Sequence, residues 1–464
     1  MNNAVAELAR ALARDFKGDL LLPGDPRFDA ARGIWNARAA RTPALIARCT
    51  DPADVAAAVR RASSLGVLTA VRCGGHSLAG FGSCDDGLVI DLSRMRRVTV
   101  DPIARRARAE GGCLLGSVDA ATQEAGLVFP SGVVSHTGAG GLILGGGTGW
   151  LTRIFGLSCD NVETYTLVAA SGDLLRASAR ENPDLYWALR GGGGNFGVVT
   201  EFELRLHPLT HVTLANARWL DDDILSVVRD WRDFMPGAPD ELKWNLSLRL
   251  APPTSGIPAP VRGKPALNGT GLWVGGLKQG QSFLDRIASL GHPIAATQET
   301  ISFLKLQTMA DADFPHGRRY YTKSGFFQTL TDDSIERMIA ALPAIPSPNT
   351  QIELAYLGGA CGRVGASETA FGDRSAPFIM NLLADWPDAE GDAANVQWVR
   401  DLFTALRPAM RPEVYINFMS GDEADRVQEA YHDRWDRLVA VKTRFDPANF
   451  FRVNQNIPPA QPKG

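Results

Sequence analysis

Glycine is concentrated where chemistry would need bare backbone. Residues 138–149 (GAGGLILGGGTG) hold seven Gly in twelve positions, and residues 191–197 (GGGGNFG) hold five in seven. A third cluster lies in Arg72-Cys73-Gly74-Gly75-His76-Ser77, with Gly80 and Gly82 close behind. Glycine costs backbone entropy on folding, so this density inside a domain needs a reason. Tight turns are one reason. The other is main chain that approaches a ligand closely, most often a phosphate held by N–H groups. Three clusters so near one another favour the ligand.

Several familiar sites lack their residues. Gly192-x-Gly194-x-x-Gly197 fits the dinucleotide fingerprint as a string, but a Rossmann site needs strand, glycines, then helix. Here a helical segment precedes the glycines and a strand-like run follows. There is no Gly-x4-Gly-Lys-Ser/Thr, no His-Glu-x-x-His and no Gly-x-Ser-x-Gly. Cys73-x-x-His76 has metal-like spacing, but no second pair follows at zinc spacing, so no metal is expected.

The elements that must position these glycines are legible in outline. Residues 44–48 read as a strand; Asp51-Pro52 then caps a helix that stops at Gly66. Residues 68–72 form the next strand, which runs straight into the 72–77 segment. Further strands are expected at 88–92, 105–110, 162–169 and 198–206, with helices at 116–124 and 183–189. Beyond His207-Pro208 the glycine clusters stop. A helix at 222–234 alternates with strands at 243–250, 271–274 and 351–356, across a loop at 251–265. Strands and helices mixed without Gly-rich crossovers suggest an α+β domain on an antiparallel sheet flanked by helices. From Pro412 the pattern shifts to a Tyr415-Ile-Asn-Phe418 strand and a charged helix from 423 to about 444. The expected division is 1–207, 208–411 and 412–464, the last returning to the first.

Composition bounds the setting. The chain has 464 residues, 45% hydrophobic and 21% charged, with a net charge of −3. That balance gives no bulk electrostatic footprint for nucleic acid or an anionic membrane. No apolar run approaches the ~18 residues of a membrane span. Residues 1–19 interleave Glu7, Arg10, Arg14, Asp15 and Lys17 with apolar residues, which suits an amphipathic helix and not a signal peptide. Six Cys are too few for a disulfide scaffold, and a cytoplasmic enzyme is expected.

Five segments in order resemble one family. Arg72–Ser77 looks like the Arg-x-Gly-Gly-His-x segment of the p-cresol-methylhydroxylase and vanillyl-alcohol-oxidase flavoproteins. Residues 135–149 are similar to their Gly-rich flavin segment, Gly156-Leu-x-x-Asp160-Asn161 to their Gly-Leu-x-x-Asp-Asn, and 187–200 to their Trp-x-x-Arg-Gly-Gly-Gly-Gly-x-Phe-Gly. Residues 445–457 resemble the berberine-bridge-enzyme signature. The resemblance implies a two-domain FAD-binding fold with a substrate domain over the flavin ring. It implies FAD contacts from Arg72, Cys73, Gly74, Gly75, His76 and Ser77 in the first segment. It adds Thr137, Gly138, Gly140, Gly141 and Gly145 in the second, and Asn161, Gly194, Gly197 and Val199 further on. Tyr415 and Asn417 would lie beside the ring. His76 would carry the flavin through a covalent bond to its imidazole. The family's second, cysteinyl link would fall at Val134, which cannot form it, so a single link is expected. Thr137, small and β-branched, stands where in the family Val or Ile permits oxygen and Leu tends to block it, so the resemblance implies an oxygen-accessible site.

For a small-molecule substrate, the resemblance offers two proton acceptors, Glu353 and Tyr415. Glu353 is the acid on an otherwise apolar strand. A carboxylate on a covered face is costly to keep charged, so its pKa would rise towards what a base near neutrality needs. The alternative is that this face is solvated. Tyr415 would need a cation such as Lys323 or Arg374 nearby to ionise. The implied reaction is hydride removal from an alcohol, amine or activated phenolic or ketide carbon, with reoxidation by O2 to peroxide. An oxygenase of natural-product biosynthesis and a dehydrogenase serving another acceptor remain the alternatives. Aromatics between 240 and 330 (Trp244, Trp273, Phe303, Phe314, Tyr320, Tyr321, Phe326, Phe327) hint at an aromatic or extended apolar substrate.

Overall fold

A computed structural model describes residues 3–220, 222–252, 257, 259–372 and 374–461. The amino-terminal amphipathic stretch forms a helix over Asn3–Leu12, shorter than the expected 1–19. It buries Val5, Leu8 and Leu12 against Val55, Val59 and Ala62 of helix Pro52–Ser64. That second helix starts as its sequence dictates. The Asp51 carboxylate accepts from the Asp54 N–H at 3.0 Å, and Pro52 fills the first turn. The helix links strand Leu45–Arg48 to strand Thr69–Arg72. Both run parallel to Leu88–Asp91 between them, and Asp19–Leu21 closes the edge antiparallel. The crossover therefore delivers Thr69–Arg72 with its carboxyl end pointing at Cys73-Gly74-Gly75-His76.

A second, antiparallel sheet follows, ordered Val98–Asp101, Arg106–Glu110, Val198–Arg205, Val162–Val168, Leu174–Ser178. The loop Gly191–Gly197 enters the middle strand of this sheet. Seven antiparallel strands then form a third sheet, drawn entirely from between His211 and Trp386. Its order is Ala295–Ser302, His211–Leu220, Pro265–Trp273, Leu242–Leu250, Gln351–Tyr356, Phe378–Trp386, Arg319–Phe327. Helices Asp222–Phe234, Leu277–Ser289, Asp332–Ala341 and Asp392–Leu406 pack on one face over Trp219, Trp244, Leu248, Ile352 and Leu382. The fold is α+β, and among the described residues no helix is long and apolar enough to cross a membrane.

Three expectations are corrected. Residues 415–418 are not a strand: Ile416–Phe418 is a single 3₁₀ turn. Here the chain threads between the glycine-rich segment and the third sheet, and side chains satisfy the contact: Asn417 Nδ2 donates to Leu142 O at 3.1 Å. The helix expected from 423 to 444 is broken into Val427–Tyr431 and Trp435–Phe445, because His432 turns the chain at φ +41°. The third strand of the large sheet begins at Pro265, well before residue 271. The loop expected over 251–265 lies partly outside the described residues.

The carboxyl-terminal segment returns to the glycine-rich half. The Lys442 ammonium is fully buried and donates to Asp446 Oδ2 (2.6 Å), Asn195 O (2.8 Å) and Phe451 O (2.8 Å). Asn195 in turn donates to Gln455 O and accepts from the Ile457 N–H. Removing one partner of such a buried pair strands the other charge.

Candidate active site

A cavity of about 630 Å³ separates the glycine-rich half from the bare face of the seven-stranded sheet. One wall is backbone. Gly74 and Gly138 touch main chain to main chain, so a Cβ on either would overlap the other. By contrast, a Cβ on Gly141 or Gly194 would meet nothing within 4 Å, and both positions line the cavity. Glycine there leaves the main chain bare towards whatever the cavity holds. Gly75, Gly140, Gly197 and Val199 line the same wall. Arg72 also lines it, its guanidinium held at 2.8 Å by the buried Asp91 carboxylate. Cys73 Sγ donates to Cys113 O, and burial pushes its thiol up to about 11, which keeps it unreactive. Ser77 Oγ accepts from the Phe81 N–H.

His76 sits at one end of the cavity. Its ring stacks on Trp35 at 4.3 Å between centroids, and Trp35 stacks on Tyr320 at 3.7 Å. His76 Nε2 lies 3.0 Å from His136 Nδ1. Burial, with His136 and His316 nearby, holds the His76 pKa well below the ordinary imidazole value, so the ring is neutral. A neutral imidazole keeps the lone pair that a nucleophile needs. Donor atoms of His76, His136 and His316 lie within 4.8 Å of one another, a spread that also suits a three-imidazole metal set, which the sequence did not announce.

The other wall is made of side chains. Glu353 lies on Gln351–Tyr356, facing the cavity and not bulk solvent. Gln351 Nε2 donates to Glu353 Oε1 at 3.1 Å and Asn381 Nδ2 to Oε2 at 2.9 Å. Burial raises the Glu353 pKa against the Asn381 hydrogen bond and the Arg249 charge, which lower it. Tyr415 is 2% exposed. Its hydroxyl oxygen accepts from the Gly147 N–H at 3.0 Å and from Asn417 Nδ2 at 2.9 Å. Burial nevertheless pushes it up to about 12. Neither cation considered from sequence serves Tyr415. Lys323 pairs with Glu423 at 3.1 Å and Arg374 with Asp160 at 2.7 Å.

Two expected cofactor contacts lie off the cavity. Asn161 is buried as a turn clamp: Nδ2 donates to Phe155 O and Leu157 O, and Oδ1 meets His207 Nε2 at 2.8 Å. Gly145 makes room for the Asn417 amide instead of lining the space. The aromatics of 240–330 are likewise core for the most part. Trp244, Trp273, Tyr321 and Phe327 pack under the helices, and of the eight only Phe314 lines the cavity. The sequence reading missed Lys243, Asn245, Ser247 and Arg249, which alternate with Trp244, Leu246 and Leu248 along Leu242–Leu250. That period of two was a readable sign of a half-polar strand.

The glycine cradle, the open positions at Gly141 and Gly194, and the neutral His76 fit a flavin nucleotide. Comparison with known proteins agrees. Residues 43–178 match the FAD binding domain family, and residues 414–458 match the "Berberine and berberine like" family. An FAD-linked oxidoreductase of Dictyostelium discoideum is 33% identical over 433 residues, covering 92% of this chain and 91% of that protein. The (R)-6-hydroxynicotine oxidase of Paenarthrobacter nicotinovorans is 30% identical, covering 96% and 97%. The crystal structure of 6-hydroxy-D-nicotine oxidase from Arthrobacter nicotinovorans superposes with a TM-score of 0.86 at 29% identity, covering 96% and 99%. The chain belongs to the berberine-bridge-enzyme-like branch of the p-cresol-methylhydroxylase-type FAD-linked oxidases. It is an FAD-dependent oxidoreductase.

Proposed function

We propose that the protein is an oxidase that removes a hydride from a small molecule and uses O2 as electron acceptor, forming peroxide. The donor is an alcohol, an amine or an activated phenolic or ketide carbon. The observation that carries this reading is Glu353 and the Tyr415–Asn417 pair on the walls of one cavity. FAD, when bound, supplies the two-electron acceptor that oxygen can restore.

Glu353 takes the proton from the donor's hydroxyl or amine as the hydride leaves. Amide N–H groups of Gln351 and Asn381 aim both of its oxygens, and burial moves its pKa towards working pH. Tyr415 stays protonated at neutral pH and orients groups by donating its remaining O–H. Asn417 holds that hydroxyl in place.

His76 is the residue that would carry the flavin covalently. With Nε2 engaged by His136, Nδ1 is the ring nitrogen left to bond. Val134 stands where a second link would need Cys, so the attachment is single. Thr137, on the cavity wall, leaves the small space that oxygen needs. The named activity of the P. nicotinovorans relative, an oxidase of 6-hydroxynicotine, supports a small-molecule donor.

The test is a donor screen without oxygen. A competent donor bleaches the flavin, and admitting air restores the colour with one peroxide per turnover. Restoration only by an artificial acceptor would make the protein a dehydrogenase. Acid-precipitated wild type should stay yellow and His76→Ala should not; colour retained in the variant removes His76 from the attachment.

A further inference from the structure

Strand register assembles a polar row across the cavity face of the large sheet. Arg218 pairs with Asn268, Asn268 with Ser247, Ser247 with Glu353 and Glu353 with Asn381, one residue from each of five adjacent strands. Residues directly opposite in an antiparallel pair share a face, so the row is continuous. Arg249 stands opposite Gln351, two residues from Glu353 on the neighbouring strand, and lines the cavity with it.

Several groups on this face have no partner. Arg249 Nε is buried without a hydrogen bond, and among the described residues Arg249 forms no ion pair. Arg218, a like charge whose ionisation Arg249 disfavours, is spent on Asn268 Oδ1 at 2.6 Å, not on a carboxylate. The acids within range do not neutralise Arg249. Asp385 pairs with Arg318 at 2.5 Å, Asp313 is exposed at the rim, and Glu353 is held by two amides. The Asn245 and Asn381 side-chain oxygens are also buried without donors, and Asn381 is only 6% exposed. A buried guanidinium nitrogen lacking an acceptor, and two buried amide oxygens lacking donors elsewhere on the same cavity wall, are costly unless a ligand completes them.

We propose that the cavity beyond Glu353 is an anion subsite centred on Arg249, and that the substrate is a hydroxy acid. Its carboxylate docks on the Arg249 guanidinium, and its hydroxyl groups donate to Asn245 Oδ1 and Asn381 Oδ1. Diagonal neighbours on one sheet face lie ~7–8 Å apart, so a carboxylate on Arg249 and a reacting carbinol at Glu353 belong to one small molecule. The position of the reacting carbon rests on the reading of Glu353 as proton acceptor; the anion subsite does not. Planar guanidinium matches a carboxylate in two parallel hydrogen bonds, which a lysine in the same place cannot reproduce.

The test is equilibrium titration of the holoenzyme with D-glucuronate, D-gluconate and L-mandelate, each beside its own amide, read as perturbation of the visible flavin spectrum. At least one acid is expected to bind about ten- to a hundredfold tighter than its amide, the size of one charged hydrogen-bonded contact. Arg249→Gln should erase that preference and Arg249→Lys restore part of it. In wild type, sulfate at constant ionic strength should compete with the acid and leave the amide untouched. Acids that bind no better than their amides, no perturbation by any probe, or a preference that survives in Arg249→Gln would each overturn the proposal. Failure of the oxidase reading shows itself differently: binding would persist while no donor yields peroxide.

Discussion

The two walls of the cavity are built from different parts of the chain. The glycine-rich wall is main chain, with Gly74 against Gly138 and open positions at Gly141 and Gly194. The sheet wall is side chain, with Lys243, Asn245, Ser247, Arg249, Gln351 and Glu353 at alternate positions of two strands. A wall of backbone fixes shape, and its contacts are the same amides whatever the neighbouring residues are. A wall of alternating side chains can change chemistry at one position while the core face of the same strand stays packed. The glycine wall therefore divides in two: at Gly74 and Gly138 a side chain collides with backbone, whereas at Gly141 and Gly194, as along the sheet wall, a side chain can change what the cavity meets without collision.

The largest effect should come from two glycines of one segment. Gly138→Ala drives a Cβ into the Gly74 backbone and should cost about 3 kcal/mol or more, beyond ordinary overpacking, with little soluble protein recovered. Gly141→Ala meets nothing and sits in helix Ala139–Leu144, where Ala is better than Gly by roughly 0.5–1 kcal/mol. It should fold with an equal or higher Tm yet carry less flavin, seen in the ratio of visible to ultraviolet absorbance. Equal flavin content in Gly141→Ala and wild type would show that this wall does not hold the cofactor.

On the sheet wall the effect should be kinetic. Glu353→Gln should slow anaerobic flavin reduction by about 10²–10⁴ while Tm and flavin content hold. Because burial raises the Glu353 pKa, the rate in wild type should fall as pH drops through a value above the ordinary carboxylate range, and the variant should lose that limb. Tyr415→Phe should cost less and keep the limb. The reverse pattern in the two variants would make Tyr415 the base.

Thr137 lies on the backbone wall but puts a side chain on the cavity, so the proposed role in oxygen access can be tested by changing its size. Thr137→Leu should leave reduction by donor nearly intact and slow reoxidation on the order of tenfold, ~1.4 kcal/mol of barrier. Stopped-flow mixing of the reduced enzyme with oxygen reads this directly; an unchanged rate assigns oxygen access elsewhere.

The last test lies where the two halves meet, away from both walls. Asp119 on helix Leu115–Gln123 accepts from Gln307 of helix Phe303–Thr308 at 3.0 Å, and its other oxygen has no partner. Burial raises its pKa to about 7. A carboxyl whose folded pKa lies above its unfolded value favours folding while protonated, and that contribution is lost as pH rises from about 4 to 7. Asp119→Asn should therefore stabilise the protein at pH 8, where the folded carboxyl has had to lose its proton, and clearly less at pH 5, where the folded carboxyl keeps it. Thermal melts at the two pH values decide it, and equal shifts at both would refute the assignment.

What the sequence determined by itself was local: the Asp51-Pro52 helix start, the strand feeding Arg72–Ser77, the glycine segments and the apolar alternation of 351–356. Each follows from neighbours within a few positions, through capping, turn geometry and side-chain period. The family, and with it FAD, could be read from motifs in order. What only the tertiary structure decided was which distant residues meet. Strand register set Arg218, Asn268, Ser247, Glu353 and Asn381 in one row, and no local pattern encodes pairing between strands that far apart. Asn161 left the cofactor for a turn because His207 and the Phe155 and Leu157 carbonyls satisfied it first. Four of the aromatics that hinted at an apolar substrate, Trp244, Trp273, Tyr321 and Phe327, went under the helices, since burying an indole or phenyl ring gains more than lining a wet cavity. His136 reached His76 across sixty positions only because Gly74 and Gly138 let two backbones touch.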